Sequence, residues 1–317
     1  MIISTCPSRF SMFGGGTDLP EFSNKYGGRV LNMAINLRHT CTIELADKFR
    51  IEAMGEVREF DNIPPKRADP KFDLIYYVMR KYVDLPPIHF VDKFDGIQSA
   101  GLGSSASAAV SMIAGFNRLM KKKGSIGDIA HQAWRAEIDL GWISGKQDQY
   151  ASAYGGLNMM EFENGDVWID SLPREIALGF QNWCVLFFTG KTRHSSDIQK
   201  SLKSTNNVDA LLELRGQTWV ARELLSKGDF AGVGKLLRKT WELKKKTNPL
   251  ATNKTIDEMF IKAYGLGALG GKVLGAGGEG CVIFIVDPKK KDRFILEMEL
   301  KHLDFSVSFD GVQVREI

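Results

Sequence analysis

Residues 99–114 read SAGLGSSASAAVSMIA, a glycine- and serine-rich turn that runs straight into small, helix-compatible residues. Such an entry leaves unpaired N–H groups and the positive end of the helix dipole facing outward, the usual setting for an anion. No Gly-Lys-Ser/Thr follows the glycines, so this is not a common P-loop. Taken alone, the turn is open to two readings: a tight strand-to-helix connection, or a nest for phosphate oxygens. Gly101, Leu102, Gly103, Ser104 and Ser105 lead into Ala106, Ala108 and Ala109, which crowd nothing at the helix start. Two hydroxyls beside free N–H groups suit phosphate oxygens, and a hydroxyl can also reach Mg2+.

Working outward, PPIHFVDKF (86–94) reads as the strand that feeds this turn, and helices are expected over 104–120 and 126–140. Upstream, MIISTC, GGRVLNMAINL and HTCTIEL read as strands, with the loop SMFGGGTDLPEF between the first two. Downstream, GGLNMMEFENGDVWIDSL alternates around Asn164-Gly165, the strongest short hairpin signal. NWCVLFFTG reads as a buried strand, followed by helices over roughly 208–227, 230–246 and 255–266. GGKVLGAGGEGCVIFIV and FDGVQVREI return to strand character. With no repeat and no low-complexity linker, the expectation is two α+β domains, 1–175 and 176–317.

Composition narrows the function. The 317 residues are 44% hydrophobic and 25% charged, an ordinary soluble globular profile. The net charge of +4, from 42 basic and 38 acidic residues, is too weak and too dispersed for nucleic-acid binding, and suits a small anionic substrate. The lysine triplets at 121–123, 244–246 and 289–291 read as solvated helix ends or turns. Four cysteines without a CxxC pair, and five histidines without ligand spacing, argue against a zinc site or a disulfide framework. MIISTCPSRF lacks a signal-peptide pattern, and no apolar run approaches the ~20 residues that a membrane span needs. A cytoplasmic protein is expected.

Few residues are left to carry chemistry. Glu137 lies in line with Ala133 and Trp134 on a small, apolar helix face, where an unpaired carboxylate is costly. It reads either as an edge residue paired with Arg135 or Lys146, or as a metal ligand. Asp148 follows Gly145-Lys146 in GWISGKQDQYASAYGG, a polar patch that interrupts foldable sequence. Arg9 is either a surface cation or part of a site. Asp18, which closes the loop of Gly14, Gly15, Gly16 and Thr17, is either a turn or N-cap residue or a ligand-binding one. Near the C-terminus, GGKVLGAGGEG is a flexible hairpin or a second glycine-rich wall. Three glycine-rich segments, a metal-binding carboxylate and a separate acidic base are together the parts of a phosphoryl-transfer enzyme.

The three segments resemble, in order, the three signatures of the GHMP kinases: PSRFSMFGGGTDLP the first, AGLGSSASA the second and GGKVLGAGGEGCVIF the third. GGGTDLPEF, YGGRVLNMAI, GKQDQYASAYGGLN and FFTGKTRHSSDI are similar to the heptose-kinase branch, with the kinase part of L-fucokinase as a cousin. The resemblance implies a domain like the second domain of ribosomal protein S5, followed by a ferredoxin-like domain. It implies ATP phosphates on Gly101–Ala106, closed over by Gly275, Gly277 and Gly278. It further implies Mg2+ on Ser105 and Glu137, Asp148 near the acceptor hydroxyl with Arg9 and Lys146 as its catalytic companions, and sugar hydroxyls on Gly14–Asp18. The implied reaction phosphorylates the anomeric hydroxyl of D-glycero-D-manno-heptose 7-phosphate on the way to a nucleotide-activated heptose. Lys191, Arg193 and His194, backed by Arg29 and Lys146, are the candidates for the sugar's own phosphate. Two alternatives are carried forward: a free-sugar 1-kinase such as a fucokinase, and a non-catalytic sensor of the same fold. Glu279 departs from the glycine common at its place in the third signature.

Overall fold

The structure is a computed structural model that describes residues 1–65, 68–192 and 208–317. Strand β1 (Ile2–Phe13) does not stop at Cys6, where the sequence suggests, but continues through Pro7 to the first glycine loop. Pro7 is tolerated because it stands at a register shift against strand β2 (Gly28–Leu45), opposite Arg38 while Ser8 faces Ile35, where a missing N–H breaks no regular ladder. The two strands expected over 27–45 are this single strand β2. Its length lets it serve two neighbours. Residues 39–45 pair with β5 (Ile88–Phe94), and residues 28–33 pair with β6 (Leu157–Glu163).

Two further strands, β3 (Phe49–Ala53) and β4 (Glu56–Phe60), extend the sheet beyond β5. Strand β7 (Asp166–Ser171) joins β6 through Asn164-Gly165, both at positive φ as a tight type I′ hairpin requires. Against this sheet pack helices α2 (Asp73–Arg80), α3 (Ser104–Leu119) and α4 (Ile126–Asp139), around Phe72, Met79, Phe90, Val110, Phe116 and Ala130. The small residues of α3 let it lie so close that Ser111 donates to the Ser4 carbonyl of β1, at 2.9 Å.

The second unit is a four-stranded antiparallel sheet of β8 (Cys184–Phe188), β9 (Gly270–Val273), β10 (Cys281–Ile285) and β11 (Lys301–His302), in the order β11-β8-β10-β9. Helices Val208–Ser226, Phe230–Thr247 and Lys254–Gly265 match the three expected from periodicity to within a residue. Trp241 stacks on Phe260 at 5.1 Å over the inner face of this sheet, beside Phe187, Phe284 and Phe294. The last strand, β12 (Gln313–Glu316), leaves this unit and pairs with β1, Ile2 facing Glu316. A second apolar cluster, including Phe10, Met12, Leu31, Leu186, Leu237 and Ile283, runs through both units. No helix among the described residues is long and apolar enough to cross a membrane.

The units also meet through backbone at the quoted turn. The Cys281 N–H donates to the Ala100 carbonyl at 2.8 Å. A Cβ on Gly101, where φ is +82°, would lie 2.7 Å from the Leu274 carbonyl. Gly165 has nearly the same φ, +88°, with open space around it. Gly165→Ala therefore bears only the left-handed backbone cost of about 1–2 kcal/mol, whereas Gly101→Ala adds a backbone collision. Denaturant unfolding of both variants should show Gly101→Ala to be the more damaging by at least about 1 kcal/mol; equal losses would mean that the seam yields.

Candidate active site

Beyond Thr5, β1 has no partner in β12, and the Arg9 N–H pairs instead with the Leu102 carbonyl at 3.0 Å. That bond brings the first glycine-rich segment onto the second. The Arg9 side chain, only 4% exposed, donates from Nε to Asp148 Oδ1 at 2.7 Å, from Nη2 to Asp148 Oδ2, and from Nη1 to the Gly101 carbonyl at 2.9 Å. Arg9 is thus no surface cation. Gly103, at φ +68°, faces it so closely that a Cβ there would stand 3.0 Å from the guanidinium carbon. Asp148 keeps about a quarter of its side chain exposed, so the pair is open on one side.

Asp148 lies in the first turn of helix α5 (Gln147–Tyr154), and the start of that helix is held by Asp18. The Asp18 carboxylate accepts from the Gln147 N–H at 3.1 Å, from Gln147 Nε2 at 2.8 Å and from the Gly16 N–H at 3.2 Å. The capping reading of Asp18 is met across the fold, because it caps α5 and not helix α1 (Pro20–Tyr26), which it precedes. Gly145 makes room, since a Cβ there would fall on the carboxylate itself. Thr17 ties the loop to β2, donating to the Gly14 carbonyl at 2.7 Å and accepting from the Arg29 N–H at 3.0 Å. Gly14 and Gly16 adopt positive φ, and Gly15 lies between them against Ser11.

Helix α4 starts with a capping box, Ser125 and Asp128 exchanging bonds, and carries Glu137 at its far end. Glu137 is 4% exposed. It pairs with neither expected cation, because Arg135 bonds Asp139 at 2.7 Å and Lys146 turns elsewhere. Its Oε2 accepts from Gln149 at 2.8 Å, while its buried Oε1 has no hydrogen-bond partner. Burial pushes its pKa up to about 7; the nearby hydroxyls of Ser144 and Ser105 draw it back, and the Asp148 charge adds to the rise. Helix α3 begins at Ser104 with no side-chain cap and no acidic residue in its first turn, leaving Ser104, Ser105 and their N–H groups at an open anion-favouring end. A buried carboxylate oxygen lacking a donor, with the Ser105 hydroxyl beside it, is a donor set that fits Mg2+, which takes one or two protein oxygens and completes its shell from phosphates and water.

Lys146 is placed differently from the expectation. Its ammonium donates to the Gly165 carbonyl and lies 4.9 Å over the Trp134 ring, apart from the Arg9–Asp148 pair. Lys191 is exposed, and its carbonyl accepts from the Gly280 N–H at 3.0 Å. Arg193 and His194 fall outside the described residues. In the third segment, Gly275 abuts Gly101, a Cβ on either meeting backbone of the other side. Gly277 and Gly278 are pinned farther along, on Ala251 and Asn253. Glu279 is partly exposed.

The sequence reading missed two lysines. Lys272, on β9, is 3% exposed, and its pKa is pushed well down by burial and by the charges of Lys244 and Arg9. Lys244, grouped above with a solvated triplet, is the member that turns inward, its ammonium donating to the Gly275 carbonyl at 2.6 Å. Burial first, and Arg9 second, bring it down to about 8. The available signal was the position of Lys272 in GGKVL, a cation between glycine and an apolar run.

Burial, then the Asp148 charge, raise Asp18 to about 6 against the opposing N–H bonds. Between pH 4 and 6 the folded chain then holds a proton that the unfolded chain releases, so stability falls as pH rises through that window. Compared with Asp18→Asn, the wild type should lose about 3 kcal/mol of relative stability from pH 4 to above 6. Unfolding curves at several pH values check this, and a pH-independent gap would refute the shift.

The chain is similar to known proteins along most of its length. Residues 74–156 match the GHMP kinases N terminal domain and residues 221–303 the GHMP kinases C terminal domain. A D-glycero-alpha-D-manno-heptose 7-phosphate kinase of Campylobacter jejuni is 31% identical, covering 97% of this chain and 96% of its own. An L-fucokinase/L-fucose-1-P guanylyltransferase of Bacteroides fragilis is 27% identical over 95% of this chain, which spans only 38% of that longer protein. A crystal structure of a D-glycero-D-manno-heptose 1-phosphate kinase from Bacteroides thetaiotaomicron superposes with a TM-score of 0.83 at 27% identity, covering 100% of this chain and 99% of its own. Two family models in the right order and a relative similar along nearly the whole length show that the chain belongs to the GHMP kinases, ATP-dependent phosphotransferases with an alcohol acceptor.

Proposed function

We propose that the chain phosphorylates the anomeric hydroxyl of a heptose 7-phosphate, D-glycero-D-manno-heptose 7-phosphate being the substrate of choice, on the way to a nucleotide-activated heptose. The observation that carries the reading is the Arg9–Asp148 pair, locked to the carbonyl of Gly101 and open on one side, beside the uncapped start of α3. The heptose assignment draws its support from end-to-end similarity to the heptose 7-phosphate kinase of C. jejuni, and from the GGGTD phrase of the first loop. The similarity to the B. fragilis fucokinase keeps a free sugar as the second reading.

In this reading Gly101–Ala106 cradle the nucleotide phosphates through N–H groups, with Gly275 packed against Gly101 as the facing wall. Glu137 and Ser105 hold Mg2+, which when bound offsets the charge of the β- and γ-phosphates. Asp148 accepts a hydrogen bond from the acceptor hydroxyl and orients it. Arg9 keeps that carboxylate in place through both oxygens, so the aspartate acts as a positioner as much as a base, in keeping with a loose phosphoryl-transfer transition state. The loop from Gly14 to Asp18 binds sugar hydroxyls. Lys191 and Arg193 take the phosphate at the far end of the sugar.

Two measurements test the proposal. Release of ADP should be seen with Mg2+·ATP and D-glycero-D-manno-heptose 7-phosphate, and be at least tenfold lower in kcat/KM with L-fucose, galactose or mevalonate; turnover confined to a free sugar would transfer the assignment to the second reading. Asp148→Asn should cut kcat by about 10² to 10⁴-fold, the usual contribution of a positioned acid or base, with nucleotide affinity held within a few-fold. Unchanged turnover would remove Asp148 from the reaction.

A further inference from the structure

The second unit brings two inward-turned lysines toward the Arg9–Asp148 pair. Arg9 is committed to Asp148. Lys272 and Lys244 have no carboxylate partner among the described residues, and both stand within electrostatic reach of Arg9 and of each other. Lys272 projects from β9, all four residues of which are buried, so it cannot extend its ammonium to bulk water as a surface lysine does. Lys244, on the helix Phe230–Thr247, spends one donor on the Gly275 carbonyl and keeps two more. Gly275 in turn abuts Gly101, so the Lys244 ammonium lies at the seam where the third glycine-rich segment meets the turn before α3. An ammonium drawn away from bulk water keeps its proton most readily beside an anion, and neither lysine has one among the described residues.

We propose that Lys272, Lys244 and Arg9 together form a phosphoryl-binding locus, a second anion site beside the seam of Gly275 and Gly101. The inference rests on the kinase reading above. The ligand chemistry is a phosphoryl group, supplied either by the terminal phosphate of the nucleotide or by the phosphate that the acceptor sugar already carries. Lys272 and Lys244 bind it by direct charge-assisted hydrogen bonds, and the bound group lets both ammoniums keep their protons.

The test compares the wild type with Lys272→Met and Lys244→Met, using Lys246→Met on the exposed side of the same helix as control. Affinities for Mg2+·ADP, a non-hydrolysable Mg2+·ATP analogue and D-glycero-D-manno-heptose 7-phosphate are measured by calorimetry, and thermal midpoints are recorded with and without each ligand. A loss of tenfold or more for the ATP analogue with ADP unchanged assigns the locus to the transferred phosphoryl group. The same loss for the sugar phosphate alone assigns it to the acceptor. In both cases unliganded Lys272→Met should melt no lower than the wild type, because methionine fills the lysine's volume without burying an amine that has no carboxylate partner, whereas a purely structural lysine would lower the midpoint. Affinities unchanged for all three ligands, or shifted equally by Lys246→Met, would overturn the proposal. Should Lys272→Met fail to fold, Lys244→Met carries the same comparison. If the wild type binds no nucleotide, the kinase reading itself falls, and inorganic phosphate then decides the locus: stabilisation of the wild type that is lost in Lys272→Met upholds it, and its absence overturns it.

Discussion

The guanidinium of Arg9 joins three parts of the chain that are remote in sequence. It rises from β1, grips both oxygens of Asp148 at the start of α5, and donates to the carbonyl of Gly101 in the turn before α3. A bidentate arginine–carboxylate pair constrains direction as well as distance. The turn cannot shift without breaking the bond to Gly101, and α5 cannot rotate without losing the pair. Gly103 is glycine where any side chain would press on the guanidinium, and Gly145 is glycine where Asp18 must reach the first N–H of α5. Gly103 thus follows from the buried cation, and Gly145 from the acid that caps the helix of Asp148.

The charges of the cleft follow from that arrangement. Asp18 and Glu137 are pushed upward, and Lys244 and Lys272 downward, each chiefly by burial. The acids belong to the first unit and the lysines to the second. Nucleotide phosphates with a divalent cation present the complementary pattern: positive charge for the carboxylates, negative charge for the lysines. In the proposed reading, groups that resist ionisation in the free protein would regain their charged forms against such a ligand, and part of the electrostatic work of folding would be returned on binding.

Much of this was legible in the sequence, and for physical reasons. The helices over 208–226, 230–247 and 254–265 follow from apolar periodicity, and the hairpin at Asn164-Gly165 from turn chemistry, because both signals are local. The convergence of the three glycine-rich segments could be argued from their number alone. The course of β1 beyond Cys6 and the continuity of β2 could not, since proline and glycine look like breaks until the register shift and the second partner strand are seen. The direction of Lys146 is not legible from its place beside Asp148, since it precedes the helix and turns to the hairpin at Gly165. Lys244 was hidden in a run of three lysines, of which its bond to Gly275 distinguishes it.

The packing between the units decides what the cleft can do with its charges. One apolar cluster, from Phe10 and Met12 of β1 to Leu186 and Ile283 of the second sheet, passes directly beneath the seam of Gly101 and Gly275. The return of β12 to β1 adds a second tie. Buried apolar contacts at the density of a protein interior yield little to side forces, so the junction that carries the Arg9–Asp148 pair and Lys244 is firmly packed. Donors fixed in advance need no reorganisation as charge moves in the transition state, which is the condition under which they lower a barrier rather than merely bind a ground state. A looser junction with the same residues would bind phosphates and transfer them slowly.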